Sequence, residues 1–134
     1  MPAPSSFDYA IVRVMPRVER GELINAGVIL FCLEKDFLQA RVEVNEERLR
    51  ALWPGTDLDL VRQHLEAIPR ICAGAPDGGP IAKLTLRERF RWLVAPRSTM
   101  IQVSPVHAGL CGHPERALDE LFRQMVLLPI GIDP

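Results

Sequence analysis

The most apolar stretch of the chain runs from Ala26 to Leu33 and follows a charged segment, 17–22, that contains two Arg and two Glu residues. Eight residues are too few to cross a bilayer, which takes about 20 consecutive apolar residues. The β-branched and aromatic side chains within the stretch favour a strand in the core. The charged segment is therefore predicted to be a polar connection into a strand over 23–33, with Gly21 free to take a positive φ.

Patterns on either side of this strand predict an α+β fold. A strand over 7–15 pairs with 23–33 as an antiparallel hairpin, and a strand over 37–44, which alternates apolar and polar residues, lies at the sheet edge. Four helices are predicted. The first covers 46–53 and is capped by Asn45, and the second is capped by Thr56 or Asp57 and ends or bends at Pro69. The third covers 86–94 after a Thr85–Glu88 capping box, and the fourth has Pro114 in its first turn. With a late strand over 100–104, we predict a small antiparallel sheet packed by about four helices.

Length and apolar content indicate one domain. At 134 residues with 48% hydrophobic residues, the chain has the commonest domain size and can bury one sizeable core. We therefore expect a single domain over 1–134 with a flexible Pro/Ser-rich leader over 1–6. The Gly/Pro-rich segment 74–80 is predicted to be a surface loop.

Charge and cysteine content indicate the compartment and exclude some partners. The formal net charge of -1 supplies no basic field for nucleic acid or an anionic membrane. Three widely spaced Cys residues form no Cys-x-x-Cys pair, which argues against a disulfide framework and fits a reducing cytoplasm. No signal-peptide pattern stands at residues 1–6, so we expect a cytoplasmic protein without a membrane anchor.

The first candidate site lies around the charged segment and comprises Arg17, Arg20, Glu22 and Asn25, with Arg13 on the preceding strand. If 23–33 is a strand, Asn25 and Gly27 share a face, which would let a ligand or a backbone approach beside an amide. The structural alternative is that Asn25 satisfies backbone groups and Gly27 marks a bulge.

The second candidate site is an Arg-rich region near the end of the third helix. Arg87 and Arg91 share a helix face, and Arg97 and Ser98 follow in the next turn, which suggests a clamp for phosphate or carboxylate. Thr99 and Gln102 lie beyond them. The alternative is a solvated helix face with Arg87 and Arg91 near Glu88.

The third group is His107, Cys111 and His113, three potential metal ligands within seven residues. The group lacks a clear fourth ligand and a zinc-finger spacing, and its glycines indicate a turn-rich loop, so we predict no metal site and no cofactor. The common catalytic motifs do not occur in the sequence, and whether the protein is an enzyme stays open.

Two motifs of the sequence are Arg20-Gly-Glu-Leu-Ile-Asn-Ala-Gly-Val28, and Pro96-Arg-Ser-Thr-Met-Ile-Gln102 with Ser104-Pro-Val-His-Ala-Gly109. With these motifs the chain resembles a bacterial family of unknown function, DUF3037. The resemblance covers nearly the whole chain and implies a cytoplasmic bacterial protein, often encoded beside HipA-like toxin kinases and therefore acting as an accessory or partner protein. It implies no established activity. It favours one shared site, with Glu22 and Asn25 facing Arg97 and Gln102 if the late strand joins the sheet of the hairpin.

Two functions follow as alternatives. The first is a non-catalytic accessory module that binds a protein partner, possibly acting with a HipA-like kinase. The second is an enzyme or ligand-binding domain for a phosphorylated or nucleic-acid substrate. In either case the candidate ligand-binding residues are Arg17, Arg20, Glu22, Asn25, Gly27, Arg97, Ser98, Gln102 and His107.

Overall fold

The computed structural model describes residues 3–97 and 99–127. In chain order they form β1 Ser5–Val14, β2 Ile24–Cys32, β3 Phe37–Val42, α1 Glu46–Leu52, α2 Leu58–Ala73, α3 Leu86–Val94, β4 Ile101–Val103, β5 His107–Cys111 and α4 Pro114–Met125. The strands make one antiparallel sheet and the helices pack on it, which confirms the predicted α+β class.

β1 is the strand on which the sheet is built. On one side it pairs with β2 from Asp8 opposite Phe31 to Val14 opposite Ile24, which confirms the predicted hairpin. On the other side its first half pairs with β5 and its last three residues pair with β4. β3 continues the sheet beyond β2 as the far edge, as predicted.

Ser104 joins the two short strands on the same side of β1. Its backbone N–H donates to the Ile11 carbonyl at 2.9 Å, and its hydroxyl accepts from the Ile11 N–H at 2.8 Å. The hydroxyl therefore takes the place of a strand carbonyl where the chain passes from β4 towards β5. Ser104 is buried, so without this hydroxyl the Ile11 donor would lack a partner away from water.

Both faces of the sheet are covered by apolar side chains, which explains why β2 reads as a nearly continuous apolar run. One face packs on α1, α2 and α3 through Leu49, Leu65 and Phe90. The opposite face carries Val28, Leu30 and Cys32 and packs on Leu118 and Phe122 of α4.

Helix starts follow the predicted caps. The Asn45 and Asp57 side chains accept from backbone N–H groups of the first turn, and Thr85 and Glu88 form the full capping box. Pro69, in contrast, does not end α2, which continues to Ala73. Ile71 and Cys72 beyond it are buried, and their packing offsets the hydrogen bond that proline cannot make.

Two further boundaries differ from the prediction. β1 begins at Ser5, so the last two residues of the predicted leader pair with β5. The predicted turn-rich loop over 107–113 is wrong, because residues 107–111 form β5. Gly109 has a packing role there, since a Cβ atom would lie 2.6 Å from Cζ of Phe7 on the neighbouring strand.

Candidate functional site

The charged turn between β1 and β2 is held by ion pairs among its own residues. Gly21 has φ 72°, as predicted. Arg17 pairs with Glu19, and the Arg20 Nε atom donates to Glu22 at 2.6 Å. All four side chains are more than two-fifths exposed, so these pairs stabilise the fold only slightly.

The Arg17 guanidinium also lies 4.3 Å from the centre of the Trp53 ring, which ties the turn to the end of α1. Arg17, Arg20, Glu22 and Trp53 line a small depression there. The turn therefore reaches α1 rather than the late strand.

Asn25 and Gly27 occupy an irregular part of β2. Val12 lies opposite Gly27 and Arg13 lies opposite Asn25, so Ala26 is an extra residue, a β-bulge. The Asn25 side chain donates to the Met125 carbonyl at 2.9 Å, at the end of α4. Space for a ligand beside Gly27 is lacking, because a Cβ there would lie 2.7 Å from the Arg41 carbonyl oxygen. The contacts of both residues match the structural alternative.

Asn25, Arg13 and Gln102 lie opposite one another on three neighbouring strands, with Arg13 in the middle. The register pairs Arg13 with Asn25 on β2 and with Gln102 on β4, and directly opposed residues of antiparallel strands point to the same face. Gln102 donates to the Thr99 carbonyl at 3.0 Å, and the Arg13 Nε atom is buried without a hydrogen-bond partner among residues 3–97 and 99–127. The late strand thus joins the sheet and places Asn25 and Gln102 on opposite sides of Arg13, but Glu22 is paired with Arg20 in the turn.

Arg97 lines a separate cavity of about 340 Å³ between α2, α3 and the chain leading into β4, which we name the Arg97 cavity. Its guanidinium donates to the Trp92 carbonyl and lies 4.2 Å from the centre of the Trp92 ring. Burial lowers the pKa of this guanidinium. His64 and Thr99 also line the cavity, and Ser98 lies outside the described residues.

Arg87 and Arg91 line a different hollow, of about 440 Å³, between α3 and the start of β1, which we name the α3 hollow. Asp8 and Glu34 also line it. The predicted clamp of Arg87, Arg91 and Arg97 is therefore divided between two cavities, because Arg87 and Arg91 are on α3 whereas Arg97 follows its end.

His107 begins β5, opposite Tyr9, with the two ring centres 5.4 Å apart. It is exposed and lies in neither of these cavities. Within the described part of the chain, no three His, Cys, Asp or Glu side chains are grouped so that they could hold a metal ion.

No sequence pattern indicates His64, Trp92 or Leu110 as site residues. His64 and Trp92 belong to helices whose patterns indicate only an apolar face. Leu110 is 74% exposed, and a strand assignment for 107–111 would have drawn attention to it as an apolar residue on an edge.

These features define an α+β protein with a five-stranded antiparallel sheet, an exposed edge at β5 and two cavities beside α3. The family described as "Protein of unknown function (DUF3037)" matches residues 9–126, and the chain belongs to that family. No curated protein and no solved structure matches the chain. No helix among the described residues is long and apolar enough to cross a membrane.

Proposed function

We propose that the protein is a non-catalytic accessory module that binds a protein partner along β5. The observation that carries the proposal is Leu110, an apolar side chain that is 74% exposed on an edge strand. Soluble domains protect such edges with charges, prolines or covering loops, because an unpaired strand edge invites pairing with another chain.

The backbone of β5 offers the first element of recognition. Within the described chain β5 pairs with β1 alone, so one row of its N–H and C=O groups faces away from the sheet. A partner segment in extended conformation would add a strand there and satisfy those groups.

Apolar side chains beside the edge offer the second element. Leu110 lies opposite Ser6, which lines the α3 hollow, so the strand register gives these two residues the same sheet face. Leu110 does not line the α3 hollow itself, and it also borders a hollow against α4 that Arg116 and Leu121 line. Val106 and Leu33 line the α3 hollow and are 45% and 51% exposed. An apolar side chain of the partner would cover this patch, as in other exposed apolar surfaces that serve binding.

The charges of the α3 hollow favour a protein segment over a nucleic acid. Arg87 and Arg91 are balanced there by Asp8 and Glu34, whereas a nucleic-acid surface needs a net positive field. A HipA-like kinase, the partner that the family resemblance suggests, is the first candidate partner to test.

The experiment measures partner binding by the full chain and its variants. Leu110→Asp should weaken binding of the HipA-like kinase by about tenfold or more, because a buried Leu contributes about 1.5–3 kcal/mol. Leu60→Asp, at a position on α2 that is 39% exposed, is the matched control and should bind normally. Amide exchange of residues 107–111 should slow in the complex.

A photo-crosslinker at position 110 extends the test to other partners in the native host. The proposal is supported if a protein is captured there and then binds Leu110→Asp more weakly than the parent while it binds Leu60→Asp normally. Equal binding by both Asp variants, or no crosslinked protein at position 110, would count against it.

A further inference from the structure

The Arg97 cavity combines apolar walls with a partly desolvated cation. We propose that it binds a small organic carboxylate that carries an apolar tail, with Arg97 holding the carboxylate. This site is separate from the β5 edge, so the two proposals stand or fall independently.

The walls and size of the cavity suit an apolar tail. Ile68 and Ile71 of α2 face Leu93 of α3, and Met100 closes the side towards β4. At about 340 Å³ the cavity lies at the lower end of the range for small-molecule sites, roughly 300–1,000 Å³. It has room for a short aliphatic or a single-ring compound.

Arg97 lines the cavity and is held in place by Trp92. Contacts with the Trp92 carbonyl and ring hold the guanidinium in place, and a guanidinium has five N–H donors, so others stay available. Among the described residues no acidic side chain lines the cavity, and no carboxylate forms an ion pair with Arg97. Burial without a counter-ion lowers its pKa, and a bound anion would reverse that effect.

The charge of the site favours a carboxylate over a phosphate. Arg97 carries one full charge, which a carboxylate neutralises through two parallel hydrogen bonds. A phosphate monoester brings up to two negative charges, and Arg97 can neutralise only one of them beside the apolar walls.

The test uses octanoate as the probe and Trp92 as the reporter. In a Trp53→Phe background Trp92 is the remaining tryptophan, and its ring forms part of the cavity, so octanoate should change its fluorescence saturably. Octanol, which lacks the charge, should bind about tenfold more weakly or worse, and octyl phosphate should not bind more tightly than octanoate.

Two variants separate the charge from the cavity. Arg97→Gln should weaken octanoate binding by about 10- to 100-fold while leaving octanol unchanged. Ala67→Phe, at an exposed helix position that lines the cavity, should weaken both ligands by filling the space. Arg50→Gln, on the exposed side of α1, is the control and should bind octanoate normally.

The proposal is overturned if octanoate causes no saturable change in the folded protein, or if Arg97→Gln binds octanoate as tightly as the parent. Tighter binding of octyl phosphate than of octanoate would overturn the choice of carboxylate. If the methyl NMR shifts of Ile68 and Ile71 do not respond to octanoate, any change in fluorescence arises outside the cavity. That result would also overturn the proposal.

Discussion

Replacing Gly27 with Ala should destabilise the protein, because the added methyl group has no space. An ideal Cβ at this position would lie 2.7 Å from the Arg41 carbonyl oxygen and 2.8 Å from Cγ1 of Val42. The φ of Gly27 is outside the positive range, so the effect would come from crowding and not from backbone strain.

The size of the effect follows from which neighbour can move. The Val42 side chain can rotate, but the Arg41 carbonyl belongs to the paired backbone of β3 and can move only if the strands separate. Overpacking of this kind costs about 1–3 kcal/mol, and we expect about 2 kcal/mol. With an unfolding entropy of roughly 2.1 cal/mol/K per residue, that corresponds to a fall in Tm of about 7 °C for this chain.

Urea denaturation and thermal unfolding of four variants test the argument. Gly55→Ala is the control, since its Cβ would meet only the Trp53 ring at 3.4 Å or more, and its stability should change by less than about 0.5 kcal/mol. Gly27→Ala combined with Val42→Ala should still be less stable than Val42→Ala alone. A Gly27→Ala protein as stable as the parent would refute the reasoning and restore Gly27 as a position that a ligand can approach.

The other predictions concern the α2–α3 contact, the capping box and the thiols. Arg89→Met should lower the free energy of unfolding by about 2–3 kcal/mol in urea titrations, because Arg89 donates to two carbonyls at the end of α2, one of them that of Cys72 at 2.7 Å. Hydrogen bonds from Thr85 lower the pKa of Glu88, so in NMR titrations Thr85→Ala should raise that pKa towards its usual value. The stabilisation linked to a lowered carboxyl pKa is complete above the unfolded pKa and is lost as the pH falls through the folded pKa. Burial raises the pKa of Cys72 to about 12, so at pH 8 a disulfide reagent should react first with Cys111, which is less buried, although burial raises the pKa of Cys111 as well.

Matched variants give each of these predictions a control. Arg87→Met changes an exposed Arg on the same helix and should leave stability nearly unchanged, so equal losses at Arg87 and Arg89 would contradict the role of the carbonyl contacts. A Glu88 pKa unchanged by Thr85→Ala would show that the cap does not cause the shift. For the thiols, Cys111→Ser should remove the fastest reacting group, and fast labelling of Cys72 in the folded protein would contradict its burial.

The fold was largely predictable because its signals are local. Alternation in 37–44 and the caps at Asn45 and Thr85 depend on neighbouring residues, and the structure has the corresponding elements. β5 was not predictable in this way, because its sequence His-Ala-Gly-Leu-Cys has weak strand preference and the strand depends on pairing with β1, about a hundred residues earlier.

Candidate sites were harder to predict than the fold. Arg97 belongs to a motif visible in the sequence and Trp92 is only five residues away, but the cavity also depends on His64 of α2, which tertiary packing brings to Arg97. Asn25 and Gly27 were expected to share a face by simple alternation, and the extra residue Ala26 changes the register between them. Such a bulge is decided by contacts with the partner strand, which the sequence of β2 does not contain.

The two-sided pairing of β1 has a consequence for how the chain is made. Synthesis proceeds from the N-terminus, so the hairpin of β1 and β2 can form early, but β4 and β5 lie beyond residue 100. Until they emerge, one side of β1 carries unpaired backbone groups beside a strongly apolar strand, which is a template for aggregation. The nascent chain should therefore depend on chaperones until β4 and β5 are released, and truncations before β4 should be recovered in inclusion bodies.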